Sequence, residues 1–456
     1  MEEDPPPKPD NPAKPHTAAA PLRARGDSNS SNASSGSIVS TRTLQSIDLT
    51  TVTENDRTYP DEHYFMPCDA VEQDRLSILH RVYLAALGDK LTTAPITAAT
   101  TRILDVGAGP GDWAVSISER FPYAEVVGID LTIWDVEAVE AERQGGYGAG
   151  SERGVQWEID DLNIWRADPL NPEQEPEMHI PSLTINTSNQ KGKGKAPDLP
   201  SPTLSPSPPQ ADPPPTNLYS LEPQPPPPGW NFTEPFDYIH IRGLKGAFSS
   251  WSALYAEAYA NLAPGGLIEV VDYSFAPPDT PNILNRPSNS NFREGPLPPP
   301  YAHPTLAPGG GLAPTTASSP NFEAFTHLFE STRLASLRAG INLGTLHLDT
   351  DMLRAAGFVE VRATQVNVPV GTWPSDARQK ALGKLFVVCL MEGFESVCLR
   401  LLTRHAGWGK EEVREQVEKA KREVMRACVG EGEGEGEVEG WVAPFRWVVG
   451  RKGRGR

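Results

Sequence analysis

The amino-acid sequence predicts an α/β protein built on a mostly parallel sheet with helices on both faces. Three observations carry that expectation. A short apolar strand, Arg102-Ile-Leu-Asp-Val106, runs into a glycine turn, Gly107-Ala-Gly109-Pro-Gly111, and then into a helix from Asp112 to Phe121. A second apolar strand, from Ala124, ends on an acid at Asp130 and completes a βαβ unit. Further on, strands alternate with helices again, and the strands carry the apolar composition of a sheet covered on both sides.

Taken in order, residues 1–50 are rich in Pro, Ser, Ala and Asn and hold few large apolar side chains. Burial there cannot offset the entropy of ordering, so a disordered tail is expected, with order beginning near Tyr59. Asp69 followed by Glu72 resembles a capping box and predicts a helix through about Leu87. Leu76, Leu79, Tyr83 and Ala86 recur on one face of it. This is the expected N-terminal helical lid. After the βαβ unit, Val155 to Ile159 predicts a third strand closing on Asp160-Asp161. The proline clusters of 168–230 read as a disordered insertion in a surface loop.

The rhythm resumes with strand Phe236 to Ile241 and a helix whose Trp251, Leu254, Tyr255, Ala258, Tyr259 and Leu262 form an apolar stripe. Pro264-Gly265-Gly266 ends it, and Leu267 to Tyr273 is the next strand. A second disordered insertion is expected over 277–320, then a helix from Phe322 to Arg338. A helix ending at Gly357, a strand Phe358 to Val368, and helices at about Asp376–Thr403 and Lys410–Ala427 follow. The Glu-Gly tract within 429–440 is a flexible acidic link to a last, antiparallel strand, Trp441 to Val449.

Composition bounds the rest. The 456 residues include 47 prolines and 39 glycines, many of them in those biased segments, which leaves enough chain for one folded domain over 51–456. A net charge of −18 disfavours direct nucleic-acid binding, which needs clustered Lys and Arg. The short basic tracts at Lys191, Lys193 and Lys195 and at Arg451, Lys452, Arg454 and Arg456 read as solvated tails. Cys68, Cys389, Cys398 and Cys428 form no CxxC pair, so neither a metal site nor a disulfide framework is expected. The N-terminus has no apolar signal region, and the longest apolar run, Leu385 to Met391, cannot span a bilayer. The expected protein is intracellular and soluble, without a membrane partner.

The glycine turn carries the chemistry. Its glycines permit a tight turn and let a ligand lie against bare backbone. The helix start beyond it offers free N–H groups to a negative group, here a methionine carboxylate or polarised oxygens. Asp130, at the end of the second strand, can accept both hydroxyls of a ribose. A dinucleotide fingerprint would need glycine at position 112, where the chain has Asp112, and an acid there would face a pyrophosphate. S-adenosylmethionine carries no phosphate and bears a positive sulfonium, so the turn favours the methyl donor.

The ordered chain resembles the fungal LaeA-like, Rossmann-like class I methyltransferases, regulators of secondary metabolism. The resemblance rests on Arg57-Thr-Tyr59, Glu72-Gln-Asp-Arg75-Leu and Leu104-Asp-Val-Gly-Ala-Gly-Pro-Gly-Asp-Trp113-Ala. It continues through Trp157-Glu-Ile-Asp160-Asp161, Phe236-Asp-Tyr-Ile-His240-Ile-Arg242 and Leu262-Ala-Pro-Gly-Gly266-Leu-Ile-Glu269, then Gly371-Thr-Trp373-Pro and Leu401-Leu-Thr-Arg404. It implies that Asp105, Gly107, Ala108, Gly109 and Gly111 line the donor, and that Asp130 with Leu131 holds the ribose. Asp160, Asp161 and Leu162 would then meet the adenine.

Methyl transfer is an in-line displacement in which alignment alone can supply about 7–11 kcal/mol. A general base is needed chiefly for a neutral hydroxyl acceptor. His240, Arg242, Glu269, Asp272 and Tyr273 stand at the carboxyl edge of the sheet, where ligands bind in open α/β folds. His240 reads either as a base or as a hydrogen-bonded structural histidine. Arg242 reads either as a clamp for an acidic acceptor or as a partner of Glu269 or Asp272. Trp113 packs on the sheet or stacks on the donor, and Glu72 with Arg75 forms a lid contact or an exposed helical ion pair. The acceptor is a small molecule or a protein; an enclosed pocket roofed by the Phe322–Arg338 helix would mark the former. The other class of function is a regulatory subunit that binds the donor with little turnover and meets protein partners through its Pro-rich segments. By the resemblance, its location leans nuclear rather than cytoplasmic.

Overall fold

The computed structural model describes residues 51–132, 134, 154–164, 229–278, 322–429 and 438–454, with the backbone of 23–25 and 41–43. The described residues belong to one compact unit. Most of the expected insertions 168–230, 277–320 and 429–440 lie outside the described residues. Their margins do not: Trp230 is buried, and Val438 donates its backbone N–H to Ala427 O.

The chain order is β1 (Arg23–Arg25), β2 (Thr41–Thr43), β3 (Val52–Glu54), β4 (Arg57–Tyr59), α1 (Ala70–Ala86), β5 (Arg102–Val106), α2 (Asp112–Arg120) and β6 (Glu125–Asp130). Then come β7 (Val155–Ile159), β8 (Phe236–Arg242), α3 (Trp251–Asn261), β9 (Leu262–Tyr273), α4 (Glu323–Arg338) and α5 (Thr350–Ala355). The chain ends with β10 (Val359–Pro369), α6 (Ala377–His405), α7 (Lys410–Val429) and β11 (Val442–Arg451).

One sheet runs in the order β10-β11-β9-β8-β5-β6-β7-β1-β2. Strands β9, β8, β5, β6 and β7 are parallel, and β11 lies antiparallel between β9 and β10, so the mostly parallel sheet with an antiparallel last strand is as expected. Neighbouring residues on one strand enter different cores. Ile103 of β5 and Tyr238 of β8 pack with Trp113 and Ile117 of α2, whereas Leu104 and Ile239 pack with Leu254 and Tyr255 of α3. That is the period-two signature of a sheet covered on both faces. A third core joins α1, α4, α6 and α7 over the β9–β11 end.

Within 1–50, which otherwise lies outside the described residues, the backbone forms β1 and β2, and β1 pairs with β7 in parallel at the sheet edge. Two expectations need correction beyond it. Order begins before Tyr59, in the antiparallel β3–β4 hairpin, whose Asn55 and Asp56 sit at φ 52° and 64°. Positive φ at both central residues is what a two-residue hairpin turn requires. The capping box is half realised: Asp69 accepts the Glu72 N–H, but the Glu72 side chain turns to Arg75 instead of reaching back.

Order reverses between β5 and β8, since β5 continues to β6 on one side and meets β8 on the other. The carboxyl ends of these strands open a crevice, where ligands bind in such sheets.

Candidate functional site

The glycine turn leaves β5 at Val106 and enters α2 at Asp112 with Gly107, Gly109 and Gly111 at φ 65°, 57° and 91°. Those values favour glycine, since a Cβ there is strained. Asp130 ends β6, and its Oδ2 accepts the Gly109 N–H at 2.8 Å. Ala108 N–H donates to Ile129 O, so the turn is laced to the end of β6 before any ligand arrives. Burial raises the Asp130 carboxyl above the usual range, against the pull of the Gly109 N–H.

A cavity of about 280 Å³ opens on this turn. Asp105, Gly107, Ala108, Gly109, Asp130 and Leu131 line it, as do Asp160, Asp161 and Leu162 beyond the end of β7. Asn163 fixes that segment: its N–H donates to Asp161 Oδ1 at 2.8 Å, and its Oδ1 accepts from Ser249. Gly111 is the exception among the expected donor residues. It faces away from the cavity, and a Cβ on it would stand 2.4 Å from Cη2 of Trp157, so this glycine lets β7 pack beneath the turn.

Two of the catalytic candidates are also elsewhere. His240 is buried with Nδ1 2.8 Å from Asp105 Oδ1, and its ring stacks on Trp113 at 3.6 Å and 9°. Trp113 in turn donates its indole N–H to Leu91 O, so it packs on the sheet. Glu269 is fully buried and accepts from the Thr93 backbone, the Thr93 hydroxyl and Tyr238 OH. Neither lines the cavity: Glu269 accepts three hydrogen bonds, and His240 is held by Asp105 and the Trp113 ring, as a structural histidine. Polar side chains at strand ends point alternately to the two faces, and these two fall on the α2 side of the sheet.

Arg242 does border the cavity. Its Nη2 donates to His80 Nδ1 at 3.2 Å, and its guanidinium lies 4.9 Å from the Tyr83 ring centre. It pairs with neither Glu269 nor Asp272. Burial and the neighbouring Arg242 push the His80 imidazole down to about 3, which keeps it neutral and able to accept at Nδ1. Asp272 instead meets Lys245 at 3.6 Å and His347 at 3.5 Å, and Lys245 donates to Tyr273 O. Burial lowers the Lys245 ammonium against the pull of Asp272.

The other end of the cavity is aromatic. Tyr64, Phe65, Tyr273, Phe275, Phe325, Phe329 and Phe394 border it. Phe275 stacks over Phe325 at 5.4 Å and Phe394 at 6.4 Å. Glu72 and Arg75 of α1 line it as a buried two-pronged pair, 2.5 and 2.8 Å, rather than an exposed one. Sequence reading missed His80, Lys245, Phe275 and Phe394. The helices that carry His80 and Phe394 are both predicted from the sequence, as is the helix of Phe322, Phe325 and Phe329, and the hairpin turn Asn55-Asp56 is a further local signal.

The cradle fits S-adenosylmethionine and not a dinucleotide. Asp105, Asp112 and Asp130 all border the cavity at the turn, which suits a cationic sulfonium and opposes a pyrophosphate. No group of metal-ligating side chains occurs among the described residues. No described helix is long and apolar enough to cross a membrane.

Named relatives and a family model give the same direction. The secondary metabolism regulator LAE1 of Cochliobolus heterostrophus is 27% identical over 367 residues, covering 79% of this chain and 84% of its own. The methyltransferase pytC of Aspergillus terreus is 24% identical over 364 residues, covering 80% and 78%. Among solved structures, Haemonchus contortus phosphoethanolamine N-methyltransferase 2 aligns at 14% identity with a TM-score of 0.32, over 83% of this chain; the chain spans about half that enzyme, 52%. A family model described as a methyltransferase domain matches residues 78–358, more than half of the chain, and includes the glycine turn and Asp130. The chain belongs to this methyltransferase-domain family, with S-adenosylmethionine as its methyl donor and the LaeA-like proteins as its likeness within it.

Proposed function

We propose that the protein methylates a small, largely apolar molecule held in the aromatic end of the cavity, beside a donor held on the glycine turn. The observation that carries this reading is the roof. Helix α4 brings Phe325, Leu328 and Phe329 over the cavity, and α6 brings Leu390, Phe394 and Val397. A protein substrate needs an open channel for its backbone, whereas a flat apolar molecule fits between such rings.

In this reading Asp130 accepts from the ribose hydroxyls while its other hydrogen bond keeps Gly109 in place. Asp160, Asp161 and Leu162 border the adenine. S-adenosylmethionine supplies an electrophilic methyl group on a sulfonium. The chain's own contribution is to hold the two reactants in line and exclude water, and no side chain is assigned as a general base.

The likeness to proteins named as secondary metabolism regulators supports a role in that regulation. The Pro-rich segments 168–230 and 277–320 are proposed contact points for regulatory partners, in the nucleus or cytoplasm.

Calorimetric titration with S-adenosylmethionine, for the wild type and for Asp130→Ala, tests the donor end. Micromolar binding that the variant loses is expected, and its absence from the wild type would remove the donor reading. Incubation with radiolabelled donor and a fractionated cell extract tests the other end. Label in the small-molecule fraction is expected; label confined to protein would overturn the acceptor class.

A further inference from the structure

Four cations border the cavity: Arg75, Arg242, Lys245 and Arg333. Three have a carboxylate at hand. Arg75 is paired with Glu72, Lys245 lies 3.6 Å from Asp272, and Arg333 lies 2.8 Å from Glu330. Arg242 has none within ion-pair distance among the described residues. Its contacts are a neutral imidazole and an aromatic face. Asp105, Asp112 and Glu269 act on it only at longer range, so this half-buried guanidinium keeps N–H donors free for an anion entering the cavity.

Its place in the fold says which anion. Ile241 pairs with Val106 in the sheet, so Arg242 stands level with Gly107, the first residue of the glycine turn. The start of α2, expected to offer its N–H groups to the methionine carboxylate, carries the Asp112 carboxylate, which accepts from Ser77, borders the cavity and opposes a second negative group there. Beside the turn the chain therefore presents both signs, with Asp105 and Asp112 on one hand and Arg242 on the other. That is the complement of an amino acid, with an ammonium and a carboxylate on one carbon.

We infer that Arg242, steadied by His80 and Tyr83, is the residue that recognises the carboxylate of the donor's methionine end. The inference rests on the donor lying on the glycine turn. A planar guanidinium offers the paired N–H groups that a carboxylate takes up. The stack on Tyr83 and the bond to His80 Nδ1 hold its plane and use one side of the fork, leaving donors for the ligand. Burial, which pulls the guanidinium below the ordinary arginine range, is offset when that carboxylate arrives.

The test compares S-adenosylmethionine with its decarboxylated analogue by calorimetry, for the wild type, Arg242→Gln and Arg242→Lys. The wild type should prefer the carboxylated donor by about tenfold or more. Arg242→Gln should bring the two ligands within about threefold, and Arg242→Lys should fall between, as a point charge replaces a fork. The wild-type comparison needs no variant, so a misfolded Arg242→Gln leaves the inference exposed. Equal wild-type affinity for the two ligands overturns it while the donor site stands. Binding of neither ligand removes the donor site itself. A preference that survives Arg242→Gln also overturns it; if benzoate binds the wild type with donor present and no longer binds that variant, Arg242 serves the acceptor's carboxylate.

Discussion

His240 and Asp105 are joined at 2.8 Å in a fully covered part of the sheet, and Trp113 lies flat against the imidazole on its other side. Asp105 borders the donor cavity, so the histidine holds a cavity residue in place without facing the cavity itself. Removing it leaves a buried carboxylate without this hydrogen-bond partner, a loss of about 1–3 kcal/mol. His240→Ala should therefore lower the midpoint of denaturant unfolding strongly, with donor affinity in the folded fraction changed by less than about threefold. A general base would behave the other way, losing about 10²–10⁴ in turnover with little loss of stability. Chemical denaturation and single-turnover rates on the same preparation separate the two.

Gly111 and Trp157 make a second coupled pair. A methyl group on Gly111 would stand 2.4 Å from the Trp157 ring, and the residue sits at φ 91°. Gly111→Ala should destabilise by about 1–3 kcal/mol from backbone strain and overlap together. In a Trp157→Leu background the overlap is relieved and only the strain remains, so the cost of the same substitution should fall. Thermal unfolding of the four members of this cycle checks it: strict additivity would show that the two residues do not meet.

These pairs also show where sequence reading stops. The βαβ unit from Arg102 to Asp130 was legible because apolar runs, glycines and a terminal acid are local signals with fixed spacing. The β3–β4 hairpin carries such a signal in Asn55-Asp56, but it lies beside a polar tail that masks it. The roles of Gly111 and Glu269 were not legible, and His240 was legible only as one of two readings, of which the structure shows the hydrogen-bonded structural histidine. Each is decided by a residue on another strand or loop, Trp157, Asp105 or Thr93, and a single chain does not announce its long-range contacts. The burial of Arg75 is a case of the same kind. Its wall is α6, some three hundred residues on, where Gly393 leaves room for its side chain.

His80 predicts how the fold responds to acid. Its imidazole is lowered to about 3 by burial and by Arg242, with a smaller contribution from His240. The unfolded chain binds this proton near pH 6.5, so the stability it contributes is present above 6.5 and is lost as pH falls from there towards 3. At pH 5 the loss should be about 2 kcal/mol from this residue. His80→Gln keeps an acceptor for Arg242 but cannot titrate, so its unfolding midpoint should fall less between pH 7 and pH 5 than that of the wild type. Parallel slopes over that interval would show that His80 is not the group responsible.

The Glu72–Arg75 pair ties α1 to the cavity wall, and its energetics differ from those of a surface ion pair. Both side chains are nearly inaccessible, and Arg75 also lies 3.8 Å from the Cys389 sulfur of α6. Taking away one partner leaves the other charged and uncompensated in a low-dielectric place. Arg75→Met should therefore cost about 3–5 kcal/mol, and Glu72→Gln should also be costly. The double change Glu72→Leu with Arg75→Met replaces the pair by apolar groups of similar volume and should recover much of that loss, because it removes both desolvation penalties. Donor binding by the double variant is the decisive reading. Arg75 lies against Cys389 and Gly393 of α6, so affinity for S-adenosylmethionine should stay within about threefold of wild type while acceptor turnover falls. A loss of donor affinity matching the loss in Asp130→Ala would place the pair at the donor instead.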